Sequence, residues 1–314
     1  MKYLNFFVLC GLALIMVAAV GCGGEKNVAQ TNTGGAITIT DDIGRTVNLA
    51  KKPERIVVLS ASFLEPLHLL GGNVVGRPSS QAAPEFAKDI PSIGKAVQVD
   101  MEKVLALNPD LVIINKGMNE KLIGVLSDNG IPSIVIKAKT YEDVKRELGI
   151  FAQLTDNRAK ADEAIKEMDG RIAAIKEKLP KDKTRVAVLF SSSQGLNIQL
   201  SGSIAGSVCH DFGWENVAEG MMPLDKNPDA TPYSMEILVE KNPDVLFVVT
   251  MGNADTLKNE MLSEFKNNPG WNTVQAVKDD RVYFLPQTMY LINPGLRYPE
   301  CYEDMAKMVY PNLF

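Results

Sequence analysis

The 314-residue sequence is poor in histidine and cysteine, two residue types that often combine in acid–base and metal sites. There are two histidines, His68 and His210, and four cysteines. A zinc or manganese site brings several histidines and carboxylates to one ion. The histidine count therefore disfavours a protein that imports zinc or manganese. Neither a Gly-x-Ser-x-Gly elbow nor a zinc-binding His-Glu-x-x-His motif occurs, which disfavours an enzyme. Acid–base catalysis by a pair of carboxylates is still an alternative. We expect both histidines to be structural or surface residues, with no catalytic residue, no direct metal ligand and no cofactor.

Two glutamates, Glu102 and Glu236, lie in segments that repeat at an offset of 134 residues. The copies are Asp100-Met101-Glu102-Lys103 leading to Asn108-Pro109-Asp110, and Ser234-Met235-Glu236-Ile237 leading to Asn242-Pro243-Asp244. Each copy predicts a short capped helix, a turn that ends it and then a buried strand. A carboxylate in the first helical turn interacts favourably with the helix dipole, by about 0.3–1 kcal/mol, which would account for either glutamate alone.

The elements that would position these residues are read from short apolar runs. Seven of the runs are continuous rather than alternating, which is typical of buried parallel strands: 56–59, 74–75, 111–114, 134–136, 186–189, 245–249 and 282–285. Helical stretches separate them, and Ser62 to Glu65 has the spacing of a capping box that opens a helix ending at Gly71-Gly72. The alternation predicts an α/β fold, and the strand alternation of a β-sandwich adhesion module is absent.

A single apolar stripe marks the middle of the chain. Leu154, Ala161, Ile165, Met168, Ile172, Ile175 and Leu179 recur at helical spacing, and Pro180 follows them. They predict a helix of about 23 residues, or about 35 Å. We expect an N-terminal lobe at 37–154, a connecting helix at 155–180 and a C-terminal lobe at 181–314.

The first residues predict export. An uncharged apolar run at 6–20 is shorter than the roughly 20 residues of a membrane span, so it indicates a secretory signal. Small residues precede Cys22, and 1–21 resembles a bacterial lipoprotein signal peptide in which that cysteine is lipidated; ordinary cleavage is the alternative. Residues 22–36 have the composition of a flexible tether. We therefore expect an extracytoplasmic protein, lipid-anchored to the membrane, in which Cys209 and Cys301 either pair or stay free.

The overall charge disfavours a nucleic-acid partner. The chain has 33 basic and 38 acidic residues, a formal charge of -5, and no basic block of the kind that binds phosphates. The hydrophobic content of 46% is ample for two cores.

Beyond these patterns, the chain resembles a known family along its length. The resemblance is carried by Asp41-Asp42-Ile43-Gly44-Arg45, Pro53-Glu54-Arg55-Ile56-Val57, Val75-Gly76-Arg77-Pro78, Ile93-Gly94, both Met-Glu…Asn-Pro-Asp segments, Ala276-Val277-Lys278…Arg281-Val282-Tyr283 and Tyr310-Pro311. The family is the substrate-binding proteins of ABC importers for iron chelates and cobalamin, the periplasmic binding proteins with two lobes linked by one helix. It implies two Rossmann-like lobes with central parallel sheets, a rigid connecting helix, a ligand cleft between the lobes, and a monomer. It also implies that Glu102 and Glu236 contact arginines of the membrane permease.

The resemblance leaves the ligand open. Heme-binding members place axial ligands at two positions that correspond here to Val97, which cannot bind iron, and to Met251, whose thioether can. Met101 lies close to Val97 in sequence. A ferric siderophore would instead need cationic and aromatic contacts. We expect these from Arg77, Arg297 and Tyr290, with Trp214 as a further candidate whose position after Gly213 favours the core. The expected order is ferric siderophore, then heme, then cobalamin.

Overall fold

The computed structural model describes residues 36–80, 83–181 and 183–314. The predicted signal peptide and Cys22 lie outside the described residues. The strands are β1 (Ile37–Thr40), β2 (Thr46–Leu49), β3 (Ile56–Val58), β4 (Val74–Ser79), β5 (Ser92–Lys95), β6 (Gln98–Val99), β7 (Leu111–Asn115), β8 (Ser133–Ile136), β9 (Arg185–Ser192), β10 (Gly195–Gln199), β11 (Glu215–Asn216), β12 (Ala230–Pro232), β13 (Val245–Met251) and β14 (Val282–Leu285). The helices are α1 (Leu64–Leu69), α2 (Met101–Ala106), α3 (Ile123–Asp128), α4 (Tyr141–Thr155), α5 (Arg158–Lys178), α6 (Ile204–Asp211), α7 (Met235–Lys241), α8 (Ala254–Asn267), α9 (Gln275–Lys278), α10 (Gln287–Tyr290) and α11 (Tyr298–Val309).

Each lobe is built on a central sheet whose inner strands are parallel. The N-terminal sheet has the order β6-β5-β4-β3-β7-β8, and the C-terminal sheet has the order β12-β10-β9-β13-β14. All seven predicted strands are present, and their mutual pairings are parallel. Of the strands that were not predicted, β5 pairs in parallel with β4 and β11 with β9. Antiparallel pairs then extend the sheets: β6 with β5, β10 with β9 and β12 with β10. The predicted α/β fold with two parallel-sheet lobes is confirmed.

The repeated Asn-Pro-Asp segment makes the same turn in both lobes. Asn108 and Asn242 adopt left-handed backbone conformations, with φ of 43° and 46°, and so end α2 and α7. The aspartate that follows then reaches the neighbouring strand. Asp110 accepts hydrogen bonds of 2.8 Å from the backbone N–H of Glu54 and of Arg55, and Asp244 accepts one of 3.0 Å from that of Arg185. The repeat therefore fixes the start of each central strand pair.

The connecting helix is α5, which begins at Arg158 rather than at Thr155. The residue before this helix's cap, Asp156, is left-handed at φ 55° and separates α5 from α4. Leu154 therefore belongs to the preceding helix, although it continues the apolar spacing. Four of the predicted stripe residues, Ala161, Met168, Ile172 and Ile175, are buried along α5.

One hydrophobic core runs through both lobes on the side of the connecting helix. It contains Val58 of β3 and Val188 of β9 together with side chains of α4, α5 and α11. Because side chains alternate along a strand, the neighbouring residues Val57 and Leu189 belong to separate outer cores, one in each lobe. The two lobes are therefore joined by shared packing as well as by one helix.

The hairpin of β1 and β2 is closed by Asp41. Its side chain is fully buried, and its carboxylate accepts hydrogen bonds from the backbone N–H of Arg45 at 2.9 Å and of Val135 at 3.1 Å. The Arg45 guanidinium binds the same carboxylate at 2.9 and 2.7 Å and also donates to the carbonyl of Ser133. The first and last residues of the Asp-Asp-Ile-Gly-Arg motif therefore attach the hairpin to β8.

Glu147 of α4 is a buried acid without a hydrogen-bond partner. It is 1% exposed, and neither carboxylate oxygen has a partner among the described residues. Burial raises the pKa of this carboxyl well above its usual value. The folded state therefore holds the proton of Glu147 more tightly than the unfolded chain, whose pKa is about 4.3. The stability gained in this way is complete below the unfolded pKa and is lost as pH rises through the folded pKa.

We expect Glu147→Met to raise the free energy of unfolding at pH 7 by about 1–3 kcal/mol, because it removes an unpaired buried polar group. The variant should also lose the decline in stability above the unfolded pKa. Urea unfolding at several pH values measures both effects. Glu163→Met, an exposed change on α5, is the control. A Glu147→Met protein that is less stable than the parent at pH 7 would show that an unseen partner satisfies the carboxylate.

Candidate functional site: the cleft between the lobes

The carboxyl ends of the parallel strands define the cleft, since ligands of open α/β sheets bind at those ends. A cavity of about 220 Å³ lies where the loop after β3 meets the segment after β14. Residues from both lobes line it, among them Ser62 and Pro84 from the first and Thr288, Asn293 and Arg297 from the second. The strand ends of the two lobes therefore share one concave site.

Direct contacts across the lobes set the width of this cleft. The ammonium of Lys139, after β8, lies 2.6 Å from a carboxylate oxygen of Asp229 in the C-terminal lobe. The hydroxyl of Tyr298 on α11 donates to the carbonyl of Lys139 at 2.9 Å. These bonds act together with the shared core, so large separation of the lobes would break packing as well as an ion pair.

Glu102 and Glu236 occupy matched positions outside the cores. Each is exposed and is the second residue of its helix, after a cap whose side chain accepts a backbone hydrogen bond: Asp100 from Lys103 and Ser234 from Ile237. No hydrogen bond or ion pair engages either carboxylate within the part of the chain that is described. Both side chains are thus available to a partner.

The two arginines predicted to bind the ligand are engaged within the protein. The Arg77 guanidinium donates to the backbone carbonyls of Ala87, Pro78 and Lys88, at 2.6, 3.1 and 3.2 Å, so it holds the loop after β4. Arg297 lines the cavity but its guanidinium forms a fork with Glu300, at 3.1 and 2.7 Å. This bonding raises the pKa of Arg297. Arg77 therefore positions a loop, and its contact with a ligand stays a prediction.

The predicted aromatic contacts lie in the core, which corrects the ligand-binding assignment of Tyr290. The Tyr290 side chain is 2% exposed, and its hydroxyl donates to the carbonyl of Cys301 at 3.0 Å. Trp214 is 4% exposed and stacks on Phe247.

Cys209 and Cys301 are both buried and free, so they do not pair. Burial raises the pKa of both thiols.

Exposed apolar side chains stand at strand ends of both lobes. Val97, on the turn between β5 and β6, is 69% exposed, and Met251, at the end of β13, is 45% exposed. The sequence did not single out Met118, which is 42% exposed after β7. The amide of Asn119 donates to the carbonyl of Ala96 at 2.8 Å, which brings the Met118 loop beside Val97. Met101 instead packs against the outer core of its lobe.

The histidines take ordinary surface positions. His68 on α1 is exposed and stacks on Phe86 with ring centroids 3.9 Å apart, and His210 is exposed in the last turn of α6. Within residues 36–80, 83–181 and 183–314, no group of three or more histidine, cysteine or acidic side chains is arranged to hold a metal ion. In the same residues no helix combines the length and apolar character that crossing a bilayer requires.

Residues 56–289 match the family model of the periplasmic binding proteins, so the chain belongs to that family. Among its relatives in Bacillus subtilis, the Fe(3+)-citrate-binding protein YfmC is 25% identical and the match covers 96% of both chains. The iron(3+)-hydroxamate-binding protein FhuD is 26% identical, covering 92% of this chain and 91% of FhuD. An ABC transporter substrate-binding protein from Listeria monocytogenes EGD-e superposes with a TM-score of 0.75 at 24% identity, over 83% of this chain and all of that one.

Proposed function

We propose that this chain is the extracytoplasmic substrate-binding lipoprotein of an ABC importer, with an iron chelate as its cargo. One observation carries the proposal: the two lobes share a cleft, and each lobe exposes a glutamate at the start of an equivalent short helix. Relatives that span nearly the whole chain are named for ferric citrate and ferric hydroxamate binding, which supports an iron chelate. A ferric siderophore is favoured, and heme or cobalamin is the alternative.

The proposed working cycle begins with cargo capture in the cleft. The protein is held at the membrane by Cys22, through the tether at 22–36, after removal of the signal peptide at 1–21. Glu102 and Glu236 then orient the loaded protein on the permease, because surface charges set orientation and association rate more than affinity. The two lobes move little on binding, since their shared core and the Lys139–Asp229 pair resist separation. A binding role of this kind requires no covalent chemistry.

Calorimetric titration of the purified protein tests the cargo class. We expect one ferric chelate to bind per chain with a dissociation constant in the micromolar range or below, among ferric citrate, a ferric trihydroxamate and hemin. The same chelators without iron are the controls. Calorimetry is preferable to tryptophan fluorescence, because Trp214 and Trp271 are both buried and neither lines the cavity. Binding of zinc or manganese ions together with failure to bind any chelate would contradict the proposal.

A further inference from the structure

Helix α2, which carries the exposed Glu102, is a short helix of six residues that contacts its lobe along one side. Val104 is buried in the outer core of the N-terminal lobe, and Met101 and Leu107 pack against that core. The first end of the helix is fixed by the backbone N–H of Asp100, which donates to a carbonyl of β5 at 2.8 Å. A helix this short has few internal hydrogen bonds, so contacts at its two ends decide its direction.

The second end of α2 is fixed by Arg55. Its guanidinium donates to the carbonyl of Leu107 at 2.7 and 3.1 Å and to that of Asn108 at 3.2 Å. Carbonyls at the end of a helix lack partners within the helix, and a cation there also interacts favourably with the helix dipole. Arg55 directly precedes β3, and its backbone N–H donates to Asp110 at 2.8 Å. These bonds attach the end of α2 to the start of an inner strand.

The equivalent arginine of the C-terminal lobe makes no such contact with α7. Arg185 takes the same place as Arg55, since the backbone N–H of each donates to the aspartate of the Asn-Pro-Asp segment in its own lobe. Among the residues that the structure describes, the side chain of Arg185 forms no hydrogen bond or ion pair. The end of α7 is fixed instead by Asn242, whose side-chain oxygen accepts from the backbone N–H of Gln275 at 2.7 Å.

Asn242 therefore links α7 to α9. The carbonyl of Pro243 strengthens this link by accepting from the backbone N–H of Ala276 at 3.0 Å. The matching asparagine of the N-terminal lobe is Asn108, whose side-chain amide donates at 3.4 Å to the carbonyl of Ala106, within the helix that Asn108 ends. The two copies of the repeat thus fix their helices through different residues, Arg55 in one lobe and Asn242 in the other.

We infer that Arg55 and Asn242 are positioning residues for docking on the permease. They fix the directions in which α2 and α7 present their glutamates. The inference rests on the proposed function, because it concerns the contact that is proposed for Glu102 and Glu236. Two charged contacts on separate lobes must meet two sites on one partner at the same time, so each carboxylate has to be held close to its productive direction.

Association of the cargo-free protein with its importer in nanodiscs tests the inference. We expect Arg55→Gln and Asn242→Gly each to weaken association by about three- to tenfold. Glutamine is shorter than arginine and uncharged, and glycine keeps the left-handed backbone at position 242 while removing the side-chain oxygen. The matched controls are Arg185→Gln and Asn108→Gly, the same changes at the equivalent positions. They should weaken association by less than about twofold, and thermal unfolding verifies that all four variants fold.

The outcomes separate this inference from the proposed function. Parent-like association in both Arg55→Gln and Asn242→Gly, while Glu102→Ala and Glu236→Ala weaken it, overturns the inference alone. Parent-like association in both glutamate variants overturns the proposed docking itself.

Combined variants separate positioning from direct contact. Arg55 is exposed, so a contact of its own with the permease is the other way in which its removal would weaken association. If Arg55 acts through α2, adding Arg55→Gln to Glu102→Ala should weaken association by less than about a further twofold, because the carboxylate that it positions is already gone. The same result is expected when Asn242→Gly is added to Glu236→Ala. Additive losses in the combined variants overturn the positioning role.

Discussion

Removal of the carboxylates of Glu102 and Glu236 together is expected to abolish cargo uptake while cargo affinity stays within about twofold. Both side chains are exposed on the outer ends of short helices, and neither lines the cavity between the lobes. Truncation costs each helix only the favourable dipole interaction, about 0.3–1 kcal/mol, so the fold should persist. The permease would lose one charged contact on each lobe, and therefore both the rate and the orientation of association.

The measurement is transport by the importer in vesicles, with binding followed in parallel. Each single variant, Glu102→Ala or Glu236→Ala, should retain part of the uptake, because one anchor still orients one lobe. Glu54→Ala combined with Glu240→Ala is the matched control, since it also removes one exposed carboxylate from each lobe. Full transport by the Glu102/Glu236 double variant would leave the two glutamates as helix-terminus residues only.

The largest effect on stability is expected for Asp41→Ala, at about 3–5 kcal/mol, which is typical when one partner of a buried ion pair is removed. The Arg45 guanidinium would lose its fork, and the backbone N–H of Val135 would lose its acceptor. A loss of this size should lower the melting temperature by roughly 5–15 °C in a chain of this length. Asp225→Ala, in an exposed loop, should change it by much less.

Acid should mimic this substitution. Burial alone would raise the pKa of Asp41, but hydrogen bonds from the backbone and side chain of Arg45 and from Val135 outweigh it, so the pKa is lowered. The folded state therefore gains stability from the carboxylate above its unfolded pKa of about 3.9, and loses it as pH falls through the lower folded pKa. The parent protein should lose more stability than the Asp41→Ala variant on acidification. Equal losses in urea unfolding at acidic pH would contradict the role of this carboxylate.

The fold was largely predictable because its signals are local. Continuous apolar runs marked the seven inner strands, and the Asn-Pro-Asp repeat marked the turn that precedes β7 and β13. The break between α4 and α5 was missed, since Leu154 and Ala161 are seven residues apart and stay in phase across the left-handed Asp156. β10 and β12 were missed because they form the antiparallel end of the sheet and lack long apolar runs.

The site was predicted less well, because side-chain direction depends on distant partners. Two of the three carbonyls that accept from Arg77 belong to a loop about ten residues further on, and no sequence pattern predicts such bonds. The partner of Arg297 was visible in principle, since Glu300 lies three residues later on the same helical segment. Tyr290 was placed at the cleft from its apolar neighbours, yet the turn of α10 directs its ring inward. Met118 became apparent only when the Asn119 bond joined two loops.

The shared core has a consequence for the order in which the chain folds. Helix α11 follows the last strand of the second sheet, and its Tyr298 and Tyr302 rings pack against Tyr141 near the end of the first lobe. The bond from Tyr298 to Lys139 spans 159 residues of sequence. Contacts of such separation form late, so the first lobe acquires its complete interior only when α11 has folded against it. Completion of the first lobe is therefore coupled to the folding of the second.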